Sequence, residues 1–296
     1  MEIAILQIVQ YVGYGAIIYI LSIVIFLYIY LQMLHKEYEP WIFKLFGRRM
    51  MLYVQYVLLE PLIKLGSADR RDKREREQAL EKADMLATQE ISKYPIFFIG
   101  SSTFTYWTQM KKDFGDFYGK HVVNAAFGGS RTWDVNNVID ELVIEYKPKV
   151  IVYYCGTNDL TANKTPDEIL KNVQTFVNEI HRKISPETAI IYLGITLTPL
   201  HRFRGKTRMV IETNKALEKW IQSPASGENT VWCPPLKITG NNADDDSNVF
   251  LMDSHHLNKK GHRKIGKKLF PFVQNAFQKA YDVENKKEWK KWFDRI

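Results

Sequence analysis

The sequence predicts an α/β domain, a three-layer sandwich built on a mainly parallel sheet and preceded by an N-terminal transmembrane helix. Two observations carry that prediction. From Tyr94 onward, short continuous apolar runs alternate with amphipathic stretches, and near the N-terminus one long run has no charge at all. Strands covered by helices on both faces have no solvent side, so they read as unbroken apolar runs. The 296 residues would fill two domains at roughly 150 each. Residues 1–93 fall outside the alternating pattern, which leaves a single domain of ordinary size.

Residues 3–34 contain no Asp, Glu, Lys, Arg or His. A span needs about 20 residues, and apolar side chains on every face exclude a one-sided amphipathic helix. A cleaved signal peptide needs a basic leader and a small-residue cleavage site. The leader is Met1-Glu2, and Gln32-Met33-Leu34-His35 offers no such site. Residues 1–35 are therefore expected to be a permanent anchor, and the lipid bilayer a partner. Lys36, Lys44, Arg48, Arg49 and Lys64 follow the run and no basic residue precedes it. The positive-inside rule then places the soluble part in the cytoplasm, with a periplasmic or extracytoplasmic location as the alternative.

Residues 36–93 read as a juxtamembrane spacer. Trp41, Ile42, Leu45 and Phe46 against Lys44, Arg48 and Arg49 suit a helix in the headgroup region, or equally one packed on the soluble domain. Residues 68–93 mix charge signs at helical spacing, as a solvated helix does. Acidic residues balance basic ones there, so no nucleic-acid partner is expected. The net charge of +8 reads instead as charge facing a membrane surface. A mean hydropathy of −0.27 excludes a multi-pass membrane protein. Cys155 and Cys233, the two cysteines, exclude a disulfide scaffold and a paired-cysteine zinc site.

In the domain at residues 94–282, strands are expected at 96–99, 122–124, 150–154 and 189–195, and less clearly at 230–233 and 249–252. Helices are expected at 133–146, 166–184, 208–221 and 259–281. Ligands of such sheets bind beyond the carboxyl ends of the strands, and there the polar residues collect. Gly100-Ser101-Ser102-Thr103 follows the first strand, residues 124–130 (NAAFGGS) the second, and Cys155-Gly156-Thr157-Asn158-Asp159 the third. Asp253-Ser254-His255-His256-Leu257 follows the last. Together they hold a hydroxyl nucleophile, an imidazole base, a carboxylate and amide donors, the set that acyl transfer requires. A serine attacks only when a base takes its proton, and a carboxylate fixes the tautomer of that base. Asp253 and His256 are three residues apart, so one turn joins them. The oxyanion needs preorganised donors, such as a glycine N–H or an asparagine amide.

These four blocks resemble those of the SGNH (GDSL-type) hydrolases, in their Gly-Ser-Ser subgroup of GDSL-like lipases and acylhydrolases. Phe98-Ile99-Gly100-Ser101-Ser102 resembles the first block, with Ser101 where the family often has Asp. The resemblance covers roughly residues 95–280 and implies an SGNH/flavodoxin-like fold. It implies Ser102, Asp253 and His256 as catalytic residues, and Ser102, Gly129 and Asn158 as the oxyanion hole. Gly128 is a close rival of Gly129, and His255 the nearest rival of His256. The implied activity is that of a membrane-anchored serine esterase or acylhydrolase working through an acyl-serine, on a lipid ester or an acylated sugar. An O-acyltransferase, an acetyl-sugar esterase, or a non-catalytic membrane scaffold on the same fold are the alternatives. No cofactor or metal is expected: a set of Asp253, His255, His256 and His262 lacks a His-x-x-x-His pair on one helix face.

The rival motifs fail. Phe104 occupies the second glycine position of G-x-S-x-G, and no G-x-G-x-x-G follows a strand. His35, His121, His181 and His201 are expected at surfaces or helix ends, Cys155 as a buried small hydrophobe, and residues 196–204 as a solvated loop more than a wall of the site. The tail at 283–296, with Trp289, Trp292 and Phe293 among lysines, suits a membrane interface or packing on the domain.

Overall fold

A computed structural model describes residues 68–92, 95–237, 249–251 and 253–281. The anchor expected at 1–35, the first part of the expected spacer and the tail at 283–296 lie outside these residues. Five strands, β1 (Ile96–Gly100), β2 (Val122–Asn124), β3 (Val150–Tyr154), β4 (Ala189–Leu193) and β5 (Thr230–Cys233), form one sheet in the order β2-β1-β3-β4-β5. Every pairing is parallel. Each residue of β1, β3 and β4 is buried, which is why their sequences show no polar alternation.

The helices in chain order begin with α1 (Ala68–Ala87), α2 (Ser102–Thr105), α3 (Met110–Asp113), α4 (Gly115–Gly119), α5 (Thr132–Asn136) and α6 (Ile139–Leu142). They continue with α7 (Thr157–Thr161), α8 (Pro166–Lys183), α9 (Pro199–Phe203), α10 (Thr207–Ile221) and α11 (Lys259–Tyr281). Alternate strand residues feed two separate cores. Phe97, Ile99, Ile151, Tyr153, Ile190 and Tyr192 pack with α1, α5, α6, α8 and α10. Phe98, Val150, Val152, Tyr154 and Leu193 pack with α2 to α4 and α11. The result is the expected three-layer sandwich.

α8 shows how local sequence sets an element. Thr165 accepts from the Glu168 N–H while Glu168 accepts from the Thr165 N–H, and Pro166 opens the helix, so its orphan donors are satisfied. Ile169, Val173, Phe176, Val177 and Ile180 form its buried stripe, and His181, Arg182 and Lys183 close it against the negative end of the helix dipole.

Three expectations need correction. The helix at 133–146 is instead α5, α6 and a 3₁₀ turn at Ile144–Tyr146, ended by Lys147 at φ 44°. Asn136, Asn137 and the β-branched Val135, Val138 and Val143 are poor helix formers, and the Asn136 amide bonds the Asn172 carbonyl of α8. Of the expected strand at 249–252, the described residues 249–251 add no strand to the sheet. Leu251 N–H donates to the His256 carbonyl at 2.7 Å, and Phe250 makes one isolated antiparallel bridge to Leu257. Ser254, at φ 58°, reverses the chain, so the run pairs with its own continuation. Finally, α1 is not a free solvated helix: Glu75, Ala79 and Leu86 are buried, and it packs against α6. Glu75, Ala79, Ala83 and Leu86 form a narrow stripe at helical spacing, hidden by the charges around it.

From β1 the chain moves outward to β2, and then β3 pairs on the other side of β1. That reversal is a topological switch point, where a crevice opens beyond the carboxyl ends of adjacent strands. Ser102 follows β1 and Asn158 follows β3, so both stand at its mouth.

Candidate active site

Gly100, at φ 139°, ends β1, and a Cβ there would lie 1.9 Å from the Tyr154 carbonyl oxygen of β3. Only glycine allows this approach, and it lets the Ser101 N–H donate to that carbonyl at 3.1 Å. Ser101 is extended and Ser102 opens the one-turn helix α2, which leaves Ser102 at the end of the sheet with only 6% exposure.

Asp253 accepts the backbone N–H groups of His255 and His256 on Oδ1, each at 2.9 Å. This Asx-type turn brings the His256 ring back over the same carboxylate, with Nδ1 2.5 Å from Oδ2. The other nitrogen, Nε2, lies 2.9 Å from Ser102 Oγ. Burial pushes the Asp253 carboxyl up, but the His256 charge and hydrogen bond, with His255 and its N–H, outweigh it and hold the carboxyl below its ordinary value. The Tyr106 ring packs edge-on against His256 at 4.8 Å. The arrangement can take a proton from Ser102 and hold the resulting imidazolium.

The donors come from the neighbouring loops. Ala125 and Phe127 N–H groups bond the Phe98 and Gly100 carbonyls at 2.8 and 3.1 Å, so the chain after β2 stays beside the end of β1. Gly129 lies at φ 76°, in the left-handed region, while Gly128 does not. Asn158 sits on α7 behind Gly156, at φ 120°, where a Cβ would strike Ile195 at 2.6 Å. One Asn158 amide hydrogen goes to the Ser130 carbonyl at 3.0 Å. An amide has two, so the second is available to a ligand oxygen.

Several residues that hold this site together were not singled out from the sequence. Asn124 donates to the Phe104 carbonyl at 2.8 Å and accepts from Ala126 N–H at 3.2 Å, which ties α2 to the loop after β2. Asp159 accepts from Thr132 N–H and from its hydroxyl, the latter at 2.6 Å. Burial raises its carboxyl, against the lowering of those bonds. Arg131 bonds Asp134 through Nε at 2.9 Å and lies 3.6 Å from Glu75. Asn124 and Asp159 stand inside the motif blocks, so their signal was a polar residue with no chemical role. Glu75 has no such signal, because it lies far upstream in a charge-rich run.

The remaining imidazoles do different things. His255 packs edge-on against His201, with ring centroids 5.8 Å apart, and burial drives it well below its usual range. His262 bonds the Thr103 carbonyl at 3.0 Å and stacks on Trp107, so it does not join Asp253, His255 and His256 in a metal set. Among the described residues no three His, Cys, Asp or Glu side chains form a metal-holding group. His201 and His121 are buried, at 1% and 6% exposure; His201, in the last turn of α9, and His121, just past the end of α4, stand at helix ends, one of the two expected placements. The segment at 196–204 forms α9 against the triad turn, with Leu200 N–H bonded to the Ser254 carbonyl at 3.1 Å. Cys155 is fully buried, as expected. A cavity of about 300 Å³ lies next to Tyr106 and Leu257, lined also by Thr105, Thr108, Gln109 and Lys259.

A parallel sheet with a Ser–His–Asp relay at its switch point is the arrangement of a serine hydrolase, a class that recurs on several folds. The family model for GDSL-like lipases and acylhydrolases matches residues 98–264, more than half of the chain, and the chain belongs to that family. It is accordingly an SGNH-type ester hydrolase. Among curated proteins none matches. Solved structures agree on the fold. A Streptococcus pneumonia protein described provisionally as a platelet activating factor is 20% identical, with a TM-score of 0.59, over 72% of this chain and 99% of that one. A GDSL-like lipase from Bacteroides thetaiotaomicron is 16% identical, with a TM-score of 0.54, over 68% and 97%. A carbohydrate esterase family 3 protein from Talaromyces cellulolyticus is 18% identical, with a TM-score of 0.52, over 64% and 100%.

Proposed function

We propose that the chain is a membrane-anchored serine esterase that cleaves a carboxylic ester through an acyl-Ser102 intermediate. The supporting observation is the continuous relay from Asp253 through His256 to Ser102 Oγ, with contacts of 2.5 and 2.9 Å. As Ser102 Oγ bonds to the ester carbonyl carbon, its proton passes to His256 Nε2. The tetrahedral oxyanion accepts from Ser102 N–H, Gly129 N–H and the Asn158 amide. His256 returns the proton to the departing alcohol, and water, activated by the same imidazole, then releases the acid. Ser102→Ala is expected to lower turnover of p-nitrophenyl acetate by at least about 10³-fold while the circular dichroism spectrum stays native. Undiminished turnover by the folded variant overturns the assignment.

The anchor rests on the uncharged run at residues 3–34. Among the described residues no helix is long and apolar enough to cross a membrane. The basic residues that follow the run favour a cytoplasmic catalytic domain. The substrate is an ester of a lipid or of an acylated sugar. The second class gains support from the carbohydrate esterase named among the structural relatives, and on the same site a sugar hydroxyl in place of water gives acyl transfer. Turnover of acetylated sugar, medium-chain ester and lysophospholipid by the full chain in detergent separates them. Hydrolysis of none of the three contradicts this reading of the substrate.

A further inference from the structure

We propose that Glu75 is a positioning residue for the oxyanion loop at residues 128–131, supplied by a helix that precedes the family-matched region. The proposal rests on the reading of Gly129 N–H as an oxyanion donor. α1 lies wholly upstream of residue 98, where the family match begins, yet it reaches the site. Glu75 is 1% exposed, and a Cβ built on Gly129 would lie 2.9 Å from its Oε1. The carboxylate therefore occupies the space into which a side chain at Gly129 would project. Three residues on, at the next position of the same helix face, the Gln78 Oε1 lies 3.2 Å from a Cβ built on Gly128. Both loop glycines are covered by α1, and Ala79 and Leu86 hold that helix in the core.

A buried carboxylate needs a counter-charge, and Arg131, at the end of the same loop, provides it at 3.6 Å. Arg131 also pairs with Asp134, so its guanidinium joins α1 to the start of α5. The opposite side of the loop is held by the Asn158 amide on the Ser130 carbonyl and by Asp159 on Thr132. Without Glu75, one side of the loop loses both its packing and its tie to α1. Oxyanion donors work only when preorganised to within about half an ångström, so the loss appears in the transition state more than in substrate binding.

The test uses the full chain and two substrates, p-nitrophenyl acetate and its thiono analogue, in which sulfur replaces the carbonyl oxygen. Sulfur is a weaker acceptor, so its turnover depends less on the oxyanion donors. Glu75→Ala is expected to lower kcat on the oxygen ester about tenfold or more, with KM within about twofold, and to shrink the oxygen-to-sulfur rate ratio. Glu75→Gln, close in shape, recovers part of the loss. Glu77→Gln, on the exposed face of α1, leaves both rates unchanged. An unchanged kcat in Glu75→Ala, or an equal loss on both esters, overturns the proposal. Should Glu75→Ala not fold, Glu75→Gln is judged by the same two criteria. Asn158→Ala separates the parent reading. A ratio that falls for Asn158→Ala but not for the Glu75 variants overturns the role of Glu75 alone, whereas an unchanged ratio in both overturns the oxyanion hole itself.

Discussion

Ser102 differs from an ordinary turn serine only through its neighbours. Gly100 lets β1 and β3 approach, the Asp253 turn aims His256, and Asn124 ties down the helix that carries Ser102. Gly100→Ala is therefore expected to cost at least about 3 kcal/mol, since it combines a positive-φ position with a backbone clash; chemical denaturation reads it. The buried His262 gives a pH signature. Burial lowers its pKa to about 4, against about 6.5 when unfolded. Between those values the unfolded chain binds the extra proton, so stability rises with pH across that window and is lost on acidification. His262→Gln is expected to reduce the difference in unfolding free energy between pH 7 and pH 5 by about 2 kcal/mol; urea titrations at the two pH values measure it. The Asp253 carboxyl, held below its ordinary value, behaves in the usual carboxylate sense. Its contribution is present above the unfolded pKa and disappears as pH falls through the folded one.

Among the elements, those whose side chains face one environment were readable. β1, β3, β4, α8, α10 and α11 lie within a residue or two of their expected bounds, because continuous apolar runs and 3.6-residue stripes are strong periodic signals. The signals failed where the partner was distant or the stripe narrow. The segment at 249–251 is as apolar as β5, but its backbone pairs with residues 256–258 across a turn that no local pattern announces. The apolar spacing of α5 and α6 continues through the break, so the pair has the pattern of one helix. α1 has the pattern of a solvated helix because charges outnumber the small residues of its buried face. That correction has a direct check: Leu86→Ala is expected to destabilise the chain by about 2–5 kcal/mol, whereas in a free spacer the change would stay within about 0.5 kcal/mol. Urea unfolding of the full-length variant decides between the two.

At the scale of the molecule, four short motifs separated by up to about a hundred residues converge on one edge of a five-stranded sheet. The convergence was legible because parallel topology sends every strand's carboxyl end to the same side. The contact between Glu75 and Arg131 is not legible, since it joins elements far apart in sequence. The charge-free run at residues 3–34 adds a prediction on this scale. Full-length protein should stay with the membrane fraction through alkaline carbonate extraction and leave it only with detergent; release by carbonate alone contradicts an integral anchor. The central claim is the acyl-enzyme, and peptide mapping by mass spectrometry after rapid acid quench with p-nitrophenyl acetate tests it most directly. An acetyl group confined to the peptide bearing Ser102, and missing from Ser102→Ala, is the predicted result. Turnover with no adduct at Ser102, or an adduct on another residue that persists in Ser102→Ala, would contradict it.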